Sequence, residues 1–199
     1  MNDLTFYIDK FIFTLKTQEP DLSFVPSNLR RRFNSEDKHT VFSINHCMRE
    51  NVKEIVFASQ YGCFDRLIKL TEQYKEMKEV SPTLFSTSVH NTSVGQYTLL
   101  TKKTIPSIAI SGGDETFIQG LITAITTKKT VVYCFSDFFG EIKTIAFSIS
   151  STPTKNKYIL RKNDRVNGSN DLKEVIDLFS GKIKKAESGG YEIEAINDD

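Results

Sequence analysis

Tryptophan is absent from the 199 residues, and cysteine occurs only at positions 47, 63 and 134. An odd, widely spaced set of three with no C-x-x-C pattern argues against a disulfide frame or a structural zinc site and for reduced thiols in a cytosolic protein. Excess charge of either sign is also missing. The 26 Lys and Arg nearly cancel the 25 Asp and Glu, so no global field draws the chain to nucleic acid or anionic lipid. The clusters Arg30-Arg31-Arg32, Lys102-Lys103 and Lys128-Lys129 are short and read as solvated surface. No window approaches the ~18 uninterrupted apolar residues of a membrane span. The start MNDLTFYIDKF has early acidic residues and no long apolar core, unlike a signal peptide. What is present is an ordinary apolar content enriched in phenylalanine, which promises one bulky interior over residues 1–199.

Along the chain, residues 4–14 alternate loosely as a strand, and a polar connection with two prolines follows. Ser35 reads as the N-cap of a helix over 36–49, with Glu36 and Asp37 in its first turn. The run 52–58 is a buried strand. From 64 to 77, Phe64, Leu67, Ile68, Tyr74 and Met77 fit one helical face. Ser81-Pro82 opens a third, Ser- and Thr-rich helix with His90-Asn91 in its middle. A strand over 105–111, a helix over 114–127 and a strand over 130–136 come next, with a turn from Asp137 to Glu141. Strands 144–151 and 157–161 are joined by Thr152-Pro153-Thr154, read as a hairpin turn. Beyond a loop at 163–170, a helix at 171–180 ends near Gly181. Residues 182–199 are expected to add an edge strand through YEIEAI or to fray. The order of elements predicts an α/β sheet with antiparallel members.

The strongest local signal is Ser111-Gly112-Gly113-Asp114. A short strand delivers one side chain to the start of a helix, the layout that carries a nucleophile in many enzymes. Asp114 is a candidate nucleophile or general base, set against its simpler role as an N-cap. Ser59, His90 and Asp114 supply the parts of a Ser/His/Asp arrangement, although a structural polar pair at His90-Asn91 accounts for the same residues. Cys63 lies near a helix start, where thiol reactivity can rise. His39 and His46, seven residues apart without metal-ligand partners, read as surface residues, and no metal or cofactor is expected.

The run SPTLFSTSVHNTSVGQYTLL followed by PSIAISGGDETFIQGLITA resembles the N-terminal half of β-ketoacyl synthases. It is more closely similar to the short synthase-like proteins of aryl polyene and flexirubin-type pathways. PSNLRRRFN, VFASQYG and VVYCFSDFFGE agree in order, so the likeness covers roughly 20–150. The resemblance implies a thiolase-like α/β/α layered fold with a mixed sheet, limited to the N-terminal half. It implies a dimer in which the strand carrying Ile105, Ser107, Ile108, Ala109 and Ile110 pairs across the axis. In that family a cysteine at the elbow accepts an acyl group from acyl carrier protein, and two histidines of the second half support decarboxylative condensation. Aligning Pro106-Ser107 puts Asp114 at the cysteine position, and His90 matches neither histidine. The expectation is a non-condensing, cytoplasmic partner resembling a chain-length factor, paired with itself or a full-length ketosynthase, with acyl carrier protein as a further candidate partner. Two alternatives stand beside it. One is a small hydrolase or acyl-processing enzyme using Asp114 with His90 or Ser59. The other is an acyl-chain-binding homodimer with a cavity bounded by Phe85, Phe117 and Leu121.

Overall fold

The computed structural model describes residues 3–137, 141–163 and 172–196. Most of the expected loop at 163–170 and of the turn at 137–141 therefore lies outside the described residues. The strands are β1 (Leu4–Leu15), β2 (Glu54–Ala58), β3 (Ser107–Ile110), β4 (Val131–Ser136), β5 (Ile142–Ser150), β6 (Lys157–Lys162), β7 (Lys185–Ser188) and β8 (Tyr191–Ile196). They form one mixed sheet in the order β3-β2-β4-β5-β1-β6-β8-β7, parallel across β3-β2-β4 and antiparallel beyond. The helices are α1 (Ser27–Arg30), α2 (Ser35–Cys47), α3 (Phe64–Met77), α4 (Pro82–Ser86), α5 (Thr92–Thr101), α6 (Thr116–Thr126) and α7 (Leu172–Phe179).

β2 and β4 are continuous apolar runs because both faces of the sheet are covered. Ile55, Phe57, Val132 and Cys134 point into one cluster with Val41 and Ile44 of α2 and Val94 and Tyr97 of α5. The alternate residues Val56, Ala58, Tyr133 and Phe135 meet Phe117, Ile118 and Leu121 of α6, and Val175 and Leu178 of α7 share that cluster. The layered α/β/α arrangement is the expected one.

Several local expectations are corrected. Asn34, not Ser35, caps α2: its side chain accepts from the Asp37 amide while the Asp37 carboxylate accepts from its own amide. Thr152-Pro153-Thr154 is no hairpin turn, because β1 lies between β5 and β6. β8 is not an edge strand; it sits between β6 and β7, joined to β7 through Gly189-Gly190 at positive φ. The third helix is two helices, with His90 in the connection and Asn91 at the start of α5. Its hydroxyls break it: Ser88 Oγ donates to the Phe85 carbonyl, and Thr92 Oγ1 to the Thr87 and Val89 carbonyls. His39 is buried, its Nδ1 2.8 Å from Thr14 Oγ1. On α3 the helical periodicity is as expected, but Phe64, Leu67, Ile68, Tyr74 and Met77 are all exposed, and only Arg66 and Leu70 are buried. α3 is anchored to the body by polar bonds. The Arg66 guanidinium pairs with Asp37 and donates to the Thr87 carbonyl at 2.9 Å.

Candidate elbow site

β2 and β4 run parallel with Ala58 beside Phe135, so their C-terminal ends deliver Ser59 and Asp137 to the same place. In α/β sheets this end of the strands is where sites are built. The Asp137 carboxylate accepts from Ser59 Oγ at 3.0 Å and from the Gln60 and Tyr61 amides at 2.9 and 3.1 Å. Ser59 Oγ in turn accepts from the Gly62 amide at 2.7 Å. One carboxylate thus clamps the whole turn between β2 and α3. Gly62 has φ +53°, and a Cβ there would lie 2.5 Å from His90 Cδ2. The His90 ring packs at a tilt against Phe57, and its Nε2 donates to the Ser59 carbonyl at 2.9 Å.

Asp114 belongs to a second set. The elbow Ser111-Gly112-Gly113-Asp114 is exposed, and residues 113–115 form a 3-10 turn ahead of α6. Gln60 Nε2 donates to Asp114 Oδ1 at 2.9 Å, and Ser111 Oγ donates to the Gln60 carbonyl at 3.2 Å. Asp114 is not the N-cap of α6. Glu115 holds that position without a side-chain cap bond, while Thr116 Oγ1 accepts from the Gly112 amide at 2.9 Å and closes the elbow turn. Gln60 therefore joins the elbow to the clamped turn.

This wiring decides what the groups can do chemically. The Ser59 hydroxyl gives its proton to Asp137 rather than to an imidazole, and His90 Nε2 is occupied by a carbonyl. A nucleophile activated by a base needs a direct hydrogen bond between the two. The Ser59, His90 and Asp114 side chains make no such bond among the described residues. Cys63 is held inert: its thiol donates to the Ser88 carbonyl, and burial pushes its pKa up. Burial likewise raises Cys47 to about 12 and Cys134 well above the ordinary thiol value. Folded protein at pH ~8 should therefore leave all three thiols unalkylated by iodoacetamide, with full labelling on denaturation. Rapid labelling of the folded chain, read by intact mass, would contradict the burial.

Asp137 and Gln60 were not singled out from the sequence; the signal for Asp137 was a carboxylate directly after the largely apolar, fully buried strand VVYCFS. Phe117 and Leu121 are core residues while Phe85 is 64% exposed, so the three bound no common cavity. No group of three or more His, Cys, Asp or Glu able to hold a metal occurs among the described residues. No helix among them is long and apolar enough to cross a membrane.

Burial pushes the Asp137 carboxyl above its ordinary range, against the opposing pull of the Tyr61 amide, the Ser59 hydroxyl and the Gln60 amide. A carboxyl with a raised folded pKa favours the folded state most when protonated. Its contribution is fully present below about pH 4 and is lost as pH rises through the raised value. Wild type minus Asp137→Asn stability, measured by thermal melts, should therefore be largest in acid and shrink on going toward neutrality. A difference that grows with pH would show Asp137 to be stabilised as the anion instead.

A sequence model described as "Beta-ketoacyl synthase, N-terminal domain" matches residues 10–132, more than half of the chain. The chain belongs to the β-ketoacyl synthase N-terminal domain family. No curated protein matches it in sequence. It is similar in structure to a chain of the solved "Ketosynthase (ApeO) in Complex with its Chain Length Factor (ApeC) from Xenorhabdus doucetiae". The TM-score is 0.75 at 19% identity, over 96% of this chain and 99% of that chain. The thiolase-like fold expected from the elbow motifs is therefore shown.

Proposed function

We propose that this chain is a non-condensing, chain-length-factor-like partner of a ketosynthase in aryl polyene or flexirubin-type biosynthesis. The observation that carries this reading is β3. It ends the sheet, pairs only with β2 among the described strands, and leaves Ser107, Ile108 and Ala109 exposed on a free edge. An open apolar edge is a template for another strand. The apolar stripe of α3, exposed at Phe64, Leu67, Ile68 and Tyr74, adds unpartnered surface of the kind that partners cover.

The elbow supports pairing without condensation. A carboxylate is a weak acyl acceptor and its anhydride would hydrolyse, so Asp114 held by Gln60 is a poor substitute for a thiolate. The structurally similar chain is matched over 99% of its own length, so a chain of this extent takes part in a ketosynthase complex. The test is co-purification and light scattering with a ketosynthase of such a pathway, with acyl carrier protein as a second candidate partner. A stable dimer, of the chain with itself or with the synthase, is expected. A monomer that binds neither protein at micromolar concentration would overturn the reading.

A further inference from the structure

A cleft of about 800 Å³ opens between α1, α3, α4 and α5. None of its lining residues belongs to the elbow or to the Ser59–Asp137 cluster. Its volume lies within the range of small-molecule sites. Leu29, Phe33, Leu84, Leu99 and Leu100 form the apolar part of the wall. Arg31, Arg32 and Lys69 also line it, and no carboxylate pairs with them among the described residues. Arg66, the remaining cation, is already neutralised by Asp37. The unpaired charge of the wall is therefore mostly positive, and it complements an anion.

Two acceptors add a second requirement. Asp65 Oδ1 and Gln96 Oε1 belong to lining residues, are buried, and have no hydrogen-bond partner. Buried acceptors without donors are costly and call for a partner. Both residues line the cleft, and their end torsions join sp³ to sp² carbon and have broad wells.

We propose that this cleft binds an amphipathic anion bearing a hydrogen-bond donor next to its charged end. Its apolar chain lies over Leu29, Phe33, Leu84 and Leu100. The charged end sits among Arg31, Arg32 and Lys69, and the adjacent N–H or O–H donates to Asp65 Oδ1 or Gln96 Oε1. A small molecule is favoured over a protein segment because the site is concave and supplies apolar wall, cation and acceptor within one pocket. This binding does not depend on pairing through β3.

The probe pair is N-decanoylglycine, which carries chain, carboxylate and amide N–H, and N-decanoylsarcosine, which lacks the N–H. Isothermal titration of the full chain below the micellar concentration should give a dissociation constant of about 10–100 μM for the glycine conjugate. The sarcosine conjugate should bind at least about fivefold more weakly. The exposed-site double variant Arg32→Glu/Lys69→Glu should weaken the glycine conjugate at least about tenfold with an unchanged circular dichroism spectrum. No binding at about 1 mM overturns the proposal. So does binding indifferent to the charge reversal, which would be adsorption of an amphiphile. Equal affinity for the two conjugates overturns the roles of Asp65 and Gln96. If the glycine conjugate never binds but the double variant loses pairing with a ketosynthase, the cleft is a protein contact and the ligand proposal is overturned.

Discussion

Replacing Asp37 by Ala should cost about 3–5 kcal/mol, a large share of the about 5–15 kcal/mol that holds a domain folded. Asp37 is fully buried and completes four contacts at once. Its Oδ2 accepts from Arg66 and from the Asn34 amide, its Oδ1 accepts from Ser93 Oγ at 2.7 Å, and its own amide is capped by Asn34. Removing the carboxylate leaves the Arg66 guanidinium buried with the Thr87 carbonyl as its remaining partner and opens the capping box of α2. It also weakens the hold on α3, which keeps Leu70 and the bond from Arg66 to the Thr87 carbonyl. The cost lies chiefly in the stranded charge. Adding Arg66→Met to Asp37→Ala should therefore recover at least about 1 kcal/mol rather than destabilise further. Denaturant melts of the two variants decide the point. A single variant within about 0.5 kcal/mol of wild type would show that the pair is not the anchor of α3.

The elements that were legible in the sequence are those fixed by local chemistry. β2 and β4 show as apolar runs because helices cover both faces, and Ser81-Pro82 starts α4 as expected, Ser81 Oγ accepting from the Leu84 amide at 3.3 Å. The elbow was visible because Gly112-Gly113 allows a tight turn between a short apolar run and an amphipathic helix. What escaped depends on distant partners. Nothing near Thr152 or Pro153 reveals that the first strand of the chain inserts beside β5, pairing Phe11 with Phe147 and Leu4 with Leu160. The outward turn of the α3 stripe is equally invisible, since periodicity fixes a face but not what that face meets. The candidate site divides in the same way. Asp114 at the elbow is a local feature, whereas the clamp of Asp137 on Ser59 exists only because β2 and β4 are parallel neighbours. His90, placed beside Asn91 in a helix from composition, is in a connection and holds a carbonyl of the turn that Asp137 organises.

Ala109→Pro should abolish pairing while leaving the fold intact. In a parallel ladder, alternate residues of an edge strand turn their backbone groups inward and outward. The Ile55 amide donates to the Pro106 carbonyl at 3.0 Å and the Ser59 amide to the Ile110 carbonyl at 3.1 Å, so 106, 108 and 110 face β2. Ser107 and Ala109 therefore present theirs to the free edge. Proline at 109 removes an outward N–H and puts its ring on the pairing side without touching a bond to β2, and edge strands tolerate proline there. In a two-fold dimer the change enters from both chains, so association measured by light scattering should weaken at least about a hundredfold. Ile108→Pro is the contrasting variant. It breaks the bond to β2 and should lower the melting temperature, whereas Ala109→Pro should not. If Ala109→Pro pairs as tightly as wild type, the contact is not made by β3. Its surface must then be sought elsewhere, with the exposed stripe of α3 the first to alter.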